Sequence, residues 1–247
     1  MYITTSRLLW FILAVLCLGA GITMPARAAV SPFAELPNKP QMVGDAELNE
    51  QTLAQKPDVY LQLISGMQQR GLYYAALAHL DAFEARWPNR PEAMLLRANA
   101  QRETGQTEAA KASYGKLLDG RLAARAYHGL GLIAVRAGNL DEGSTALNRA
   151  AALAPTDAGI LGDQGYAFLM LGKIDEARLA LFKAAELDEG NKRIGANLVM
   201  LLMLSGKIEQ AHDLMQRYNL APHAREEILA RVAEVRTGQK NTKELTP

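Results

Sequence analysis

Five glycines recur along the chain at a nearly constant spacing. Steps of 34, 33, 34 and 34 residues separate Gly71, Gly105, Gly138, Gly172 and Gly206. A period in this range predicts copies of one helix–turn–helix unit, because a single copy cannot bury its apolar face without neighbours. We therefore expect an all-α solenoid in which each glycine lies in the turn between two helices.

Placing the glycines in these turns divides the chain into five units. In every second helix a small residue is followed four positions later by a large one, which predicts a close crossing of the two helices of a unit. The five pairs are Ala76 and Leu80, Ala110 and Tyr114, Gly143 and Leu147, Ala177 and Leu181, and Ala211 and Met215. The units cover residues 57–90, 91–123, 124–157, 158–191 and 192–225. The single short step contains a turn around Gly120 that lacks the proline found near other unit ends.

Residues 1–28 have the order of regions that is typical of a secretory signal peptide. Arg7 precedes an apolar stretch over residues 8–23, and the small residues Ala26 and Ala28 form a cleavage pattern. The alternative is a retained membrane anchor, since the apolar stretch has the length of a short spanning helix. The sole cysteine, Cys17, follows the bulky Leu16, which argues against lipid attachment and against an outer-membrane lipoprotein.

Two further segments flank the repeats. Residues 29–56 contain three prolines and no helical period, which predicts a linker with a possible short helix at residues 46–55. After the fifth unit, residues 224–237 place Ile228, Val232 and Val235 on one side of a helix that would cap the last repeat. Residues 238–247 are polar and predict a flexible tail.

Charge and motifs exclude several classes of function. Removal of residues 1–28 leaves 25 Lys and Arg against 26 Asp and Glu, which is not the cationic excess of a nucleic-acid-binding protein. The four histidines are scattered and lack metal-ligand spacing, and no phosphate-binding glycine loop or nucleophile motif occurs. We therefore expect no catalytic residues, metal, cofactor or small-molecule substrate.

The third and fourth units resemble the tetratricopeptide repeat. Unit three has Tyr127, Leu130 and Gly131 at the family's spacing, and unit four has Gly165 and Ala177. The resemblance implies a right-handed superhelix whose inner groove, lined by the first helix of each unit, binds a protein partner. The groove residues that it implies are Asn99, Arg102, Arg125, His128, Arg136, Tyr166, Met170, Met200 and Met203.

The groove residues have a simpler explanation as well. The methionines could belong to the core between units or be covered by the final helix, and the arginines could form an ordinary solvated face. If the groove is open, its cationic middle and its apolar end would suit an amphipathic segment with an acidic group.

The fifth unit is similar to the late repeat of the TadD family of the tight-adherence (Flp) pilus assembly system. The similarity lies in Asn197, Leu198, Leu202 and Gly206, supported by Gly165, Tyr166 and Gly172 of unit four. It implies a periplasmic factor of a Gram-negative bacterium that helps the outer-membrane secretin or another pilus component to assemble. The alternative is a general cell-envelope adaptor that binds another periplasmic protein.

Overall fold

The computed structural model of the protein describes residues 56–244, with side chains described as far as residue 238. The predicted signal peptide, Cys17, residues 29–55 of the linker and residues 245–247 of the tail lie outside the described residues. In the described part the predicted all-α solenoid is confirmed, and no strand occurs between residues 56 and 244.

Eleven α-helices follow one another along the described residues and pair within the five units. In chain order they are α1 Pro57–Gln69, α2 Tyr73–Arg86, α3 Pro91–Glu103, α4 Thr107–Gly115, α5 Ala123–Arg136, α6 Leu140–Leu153, α7 Ala158–Met170, α8 Ile174–Leu187, α9 Lys192–Leu204, α10 Ile208–Arg217 and α11 Pro222–Glu244. Odd-numbered helices α1 to α9 are the first helices of the units, and even-numbered helices are the second.

The five spaced glycines close the first helix of each unit. All five have φ between 71° and 82°, a left-handed conformation that glycine adopts without steric cost. At Gly138 the amide bonds to the carbonyl of Val135, and the next amide, of Asn139, bonds to that of Ala134. This Schellman arrangement satisfies the last carbonyls of α5 and turns the chain into α6.

The small and large residue pairs of the second helices form the contact between the two helices of each unit. Both members of every pair are buried, including Tyr114 and Leu147 at 0% exposure. Gly131 of α5 lies directly against Leu147 of α6, since a Cβ added at Gly131 would lie 2.7 Å from the Leu147 Cγ. The predicted close crossing is therefore observed.

The short step of the glycine series corresponds to a shortened second helix. Helix α4 has nine residues and ends at Gly115, followed by tight turns in which the amide of Gly120 bonds to the carbonyl of Leu117. Leu117 is buried in these turns and takes the place of a longer helix in the core of unit two.

Helix α11 is longer than predicted and packs on the last unit. It begins at Pro222 and continues to Glu244, so residues 238–244, predicted as flexible tail, are helical. Proline is favourable at a first helical position, and no proline interrupts the chain before Pro247. Helix α11 packs on the first helices α9 and α7, and it does not extend along α10 as the first helix of a sixth unit would.

The described helices lack the combination of length and hydropathy that a membrane crossing requires.

Candidate functional site

The first helices lie side by side and form a continuous groove, because each packs against the first helix of the next unit. The groove has two connected parts that share Arg102, Glu103, His128 and Leu132. The part next to units one to three has a volume of about 420 Å³, and the part next to units three to five has about 730 Å³. Helix α11 forms one wall of the second part through Arg231 and Glu234.

Seven of the nine predicted groove residues line this groove. Asn99, Arg102, Arg125 and His128 line the first part. The second part contains Arg102 and His128 again, together with Arg136, Tyr166 and Met170. The seven residues therefore lie on one continuous surface; whether they bind a partner stays a prediction.

The prediction that Met200 and Met203 lie open in the groove is wrong. Their exposures are 2% and 5%, and both belong to the same buried cluster as Ile228 and Val232 of α11. The alternative explanation, in which the final helix covers these methionines, is the one observed. The physical reason is that the apolar stripe of α11 is buried on α9 and not on α10.

A buried carboxylate lies at the centre of the groove and joins three units. Asp163 of α7 has a side-chain exposure of only 8%. Its Oδ2 atom lies 2.7 Å from Nε2 of His128 on α5, and its Oδ1 atom lies 3.0 Å from Nη1 of Arg193 on α9. Both carboxylate oxygens are thus engaged by partners from the units before and after, as a buried charge requires.

The cations on the unit-two and unit-three side of the groove are incompletely neutralised. Glu103 is shared, at 2.6 Å from Nη1 of Arg102 and 3.6 Å from Nη2 of Arg136. The Arg136 side chain is 62% exposed. Arg125 is exposed and forms no ion pair with any described residue. Two arginines of unit three therefore present guanidinium groups to the solvent within the groove.

Tyr166 gives the groove a hydroxyl that stays protonated at neutral pH. Burial raises the pKa of Tyr166, and the nearby Arg231 of α11 opposes this shift in part. The ring lies between the groove and a smaller cleft of about 480 Å³ under α11. Tyr166 can therefore contact a bound segment through an apolar ring and a neutral donor.

The groove as a whole can bind an acidic group. Five arginines line it, against four acids, and three of those acids, Asp163, Glu103 and Glu234, are already bound to arginines. Within the described residues no three His, Cys, Asp or Glu side chains converge as a metal ion would need.

Several residues of the groove were not predicted from the sequence. Arg193 occupies in unit five the position that Arg125 occupies in unit three, so the repeat pattern that identified Arg125 could also have identified Arg193. Asp163 and Asn197 are the sixth residues of their units, a position that the sequence did not indicate as part of the groove. Arg231 and Glu234 are more than half exposed but border the groove, because α11 lies on α9, a surface that the sequence does not specify.

Comparison with known proteins agrees with this architecture. The family model described as Tetratricopeptide repeat matches residues 95–158 and 128–192. The TPR repeat-containing protein PA4299 of Pseudomonas aeruginosa is 34% identical over 177 residues, which cover 72% of this chain and 70% of the relative.

Two solved structures share the fold at low sequence identity. The Pseudomonas aeruginosa protein pilF superposes with a TM-score of 0.59 and 20% identity, covering 79% of this chain and 90% of that one. The thermophilic TPR protein TTC0263 of Thermus thermophilus gives a TM-score of 0.56 and 22% identity, covering 73% of this chain and 98% of that one. At these identities the likeness concerns the fold alone.

Proposed function

Because the chain belongs to the tetratricopeptide-repeat family, a group of protein-interaction scaffolds, we propose that its inner groove binds a segment of a protein partner. The observation that carries this proposal is the pair of exposed guanidinium groups, Arg125 and Arg136, on the groove surface of unit three. Arg125 forms no ion pair with a described residue, and Arg136 has only the shared Glu103 at 3.6 Å, so both are free to bind an acidic group of a partner. A carboxylate of the partner would complete these two sites with charge-assisted hydrogen bonds.

The apolar floor of the groove supports a peptide rather than a small anion as ligand. Leu132, Val135 and Met170 line the larger part of the groove next to Arg136 and Tyr166. A segment with an acidic residue beside apolar residues would match both features, whereas an isolated anion would leave the apolar floor in water.

For the cellular setting we propose an exported scaffold that assists assembly of a tight-adherence pilus or its outer-membrane secretin. Two sequence features support it: the signal-peptide pattern of residues 1–28 and the similarity of Asn197, Leu198, Leu202 and Gly206 to the TadD family. The competing function is a general adaptor of envelope assembly, which would use the same groove for a different periplasmic protein.

Charge reversal in the groove tests the binding function. The double variant Arg125→Glu and Arg136→Glu, used as bait in a periplasmic pull-down with mass spectrometry, should recover specific partners at least about ten-fold less than wild type. Each lost charge-assisted contact is worth about 1.5–3 kcal/mol. The matched control is Arg149→Glu, since Arg149 is exposed on α6 and lies outside the groove.

The outcomes separate the two settings. The pilus function is supported if wild type and Arg149→Glu both recover a secretin or a pilus-assembly component and the double variant does not. Recovery of another envelope protein with the same loss favours the adaptor. Equal recovery by all three baits, with normal helicity, contradicts a binding role for the groove.

A further inference from the structure

Helix α11 occupies one end of the groove in the way that a bound helix would. In the repeats, each first helix packs both on the preceding first helix and on the second helix between them. Helix α11 packs mainly on first helices, lying on α9 and reaching α7. Its position is therefore that of a segment laid into the groove, not that of a continued stack.

The contact between α11 and the groove consists of a single narrow stripe. Ile228, Val232 and Val235 follow one another at i, i+4 and i+7 and have exposures of 7%, 5% and 4%. Nearly all other residues of α11 up to residue 238 are exposed. The stripe covers Met200 and Met203 of α9, whose flexible thioether side chains adapt to different surfaces.

One directional hydrogen bond fixes the register of the helix. Nη2 of Arg236 donates to the carbonyl oxygen of Met203 at 2.7 Å, at the end of α9. After Val235 the sequence to Glu244 contains no apolar residue, so the last part of α11 has no side chain suited to the core.

The groove around α11 is not filled. A cleft of about 480 Å³ remains under α11, lined by Tyr166, Arg193 and Met200 on one side and by Glu227 and Arg231 on the other. The larger cleft of about 730 Å³ continues along the outer edge of the helix. Arg231 and Glu234, which border these clefts, have side chains that are 54% and 56% exposed, so the groove beside α11 is accessible to a partner.

From these observations we infer that the end of the groove formed by α7 and α9 is a binding site for an amphipathic helix, and that α11 fills it until a partner helix replaces it. The partner helix carries aliphatic residues at i, i+4 and i+7, followed by a cation that bonds to the Met203 carbonyl. Its apparent affinity is set by the fraction of molecules in which α11 has left the groove. This inference rests on the proposed binding function of the groove and names the class of partner.

The full chain and a labelled synthetic peptide of residues 222–244 test this exchange. The variant Val232→Asp weakens the packing of the chain's own α11 on α9, while the peptide keeps the natural sequence. We expect the peptide to bind this variant at least about ten-fold more tightly than it binds wild type, because α11 has left the site in a larger fraction of molecules. Fluorescence anisotropy measures the binding. A peptide that carries Val232→Asp should not bind.

Leu229→Asp is the matched control. It places the same charge three residues earlier on the same helix, at a side chain that is 51% exposed. Peptide binding to this variant should equal that of wild type.

Hydrogen exchange of α7 to α9 separates exchange from structural damage. Retained protection of α7 to α9 in Val232→Asp, together with tighter peptide binding, supports the inference. Loss of protection there would show that α11 is an obligatory part of the core and would overturn it. The inference would also be overturned if α7 to α9 stay protected but the peptide binds Val232→Asp no more tightly than wild type. A wild-type dimer in light scattering that exchanges α11 between two copies would overturn it too. Because the probe is the chain's own helix, none of these results depends on the pull-down with Arg125 and Arg136.

Discussion

Tyr114 connects the core of unit two with the groove. Its side chain is completely buried, and its hydroxyl donates to Oδ1 of Asn99 at 2.7 Å and accepts from Nε of Arg102 at 3.3 Å. Both partners are groove residues, so a core tyrosine fixes the orientation of side chains that a partner would contact. The large residue of the helix-crossing pair thus has a second role in this unit.

Removal of the Tyr114 hydroxyl should lower stability at neutral pH. Tyr114→Phe keeps the ring but leaves Asn99 and Arg102 without their shared partner, and we expect the free energy of unfolding to fall by about 1–2 kcal/mol. Chemical denaturation at pH 7 measures the change. Tyr74→Phe is the control, because Tyr74 is 74% exposed and its loss of a hydroxyl should have no measurable effect.

The same residue predicts a pH dependence. Burial raises the pKa of Tyr114 above its usual value of 10.0, and Arg102 opposes this in part. Because the folded state holds the proton more tightly than the unfolded state, the stabilisation is complete below pH 10 and is lost as the pH rises through the folded-state pKa. Tyr114→Phe should therefore show a smaller loss of stability above pH 10 than wild type, and equal slopes for both proteins would contradict the assignment.

At the scale of helices, the packing of each unit depends on where the two helices cross. The α5–α6 pair has glycines on both sides of its crossing, at Gly131 and Gly143. In α1, by contrast, Gly66 has no atom within 4 Å of an added Cβ. Two helical glycines of the same chain therefore differ in whether their lack of a side chain is required.

This difference predicts opposite effects of one substitution. Gly131→Ala should lower the free energy of unfolding by about 1–3 kcal/mol, because Leu147 must leave its position in a closely packed crossing. Gly66→Ala should raise it by up to about 1 kcal/mol, since alanine is the better helix former. Thermal unfolding of the two variants measures both, and destabilisation by Gly66→Ala would show that helix propensity does not decide this site.

The helix pairs could be predicted from the sequence, whereas the place of α11 could not. Each turn depends on local chemistry, such as the positive φ of Gly138, and each crossing depends on residues of one unit. The stripe of Ile228, Val232 and Val235 indicates a buried side of α11 but not the surface that buries it. Both α9 and α10 offer apolar side chains there, and only the three-dimensional packing selects α9.

At the scale of the whole repeat array, stability depends on contacts between neighbouring units. Asp163 is unusual because one side chain bridges three units, with partners that lie 35 residues earlier at His128 and 30 residues later at Arg193. The proximity of these three residues could not be predicted from the sequence, since it depends on how successive units are rotated. The bridge lies in the groove, so it also holds the groove in one shape.

Loss of this bridge should uncouple the last units from the rest of the array. Asp163→Asn retains the shape of the side chain but removes the charge, and we expect a decrease of about 1–3 kcal/mol in the free energy of unfolding, because Arg193 and His128 lose a charged acceptor. Hydrogen exchange should show protection falling in α7 to α9 while α1 and α2 change little, as expected when neighbour contacts carry the stability.

The control is Asp175→Asn, whose ion pair with Arg178 is 87% exposed on the aspartate side and is worth at most about 0.5 kcal/mol. A uniform loss of protection along the whole array would mean that Asp163 stabilises the fold globally and does not act as a bridge between three units.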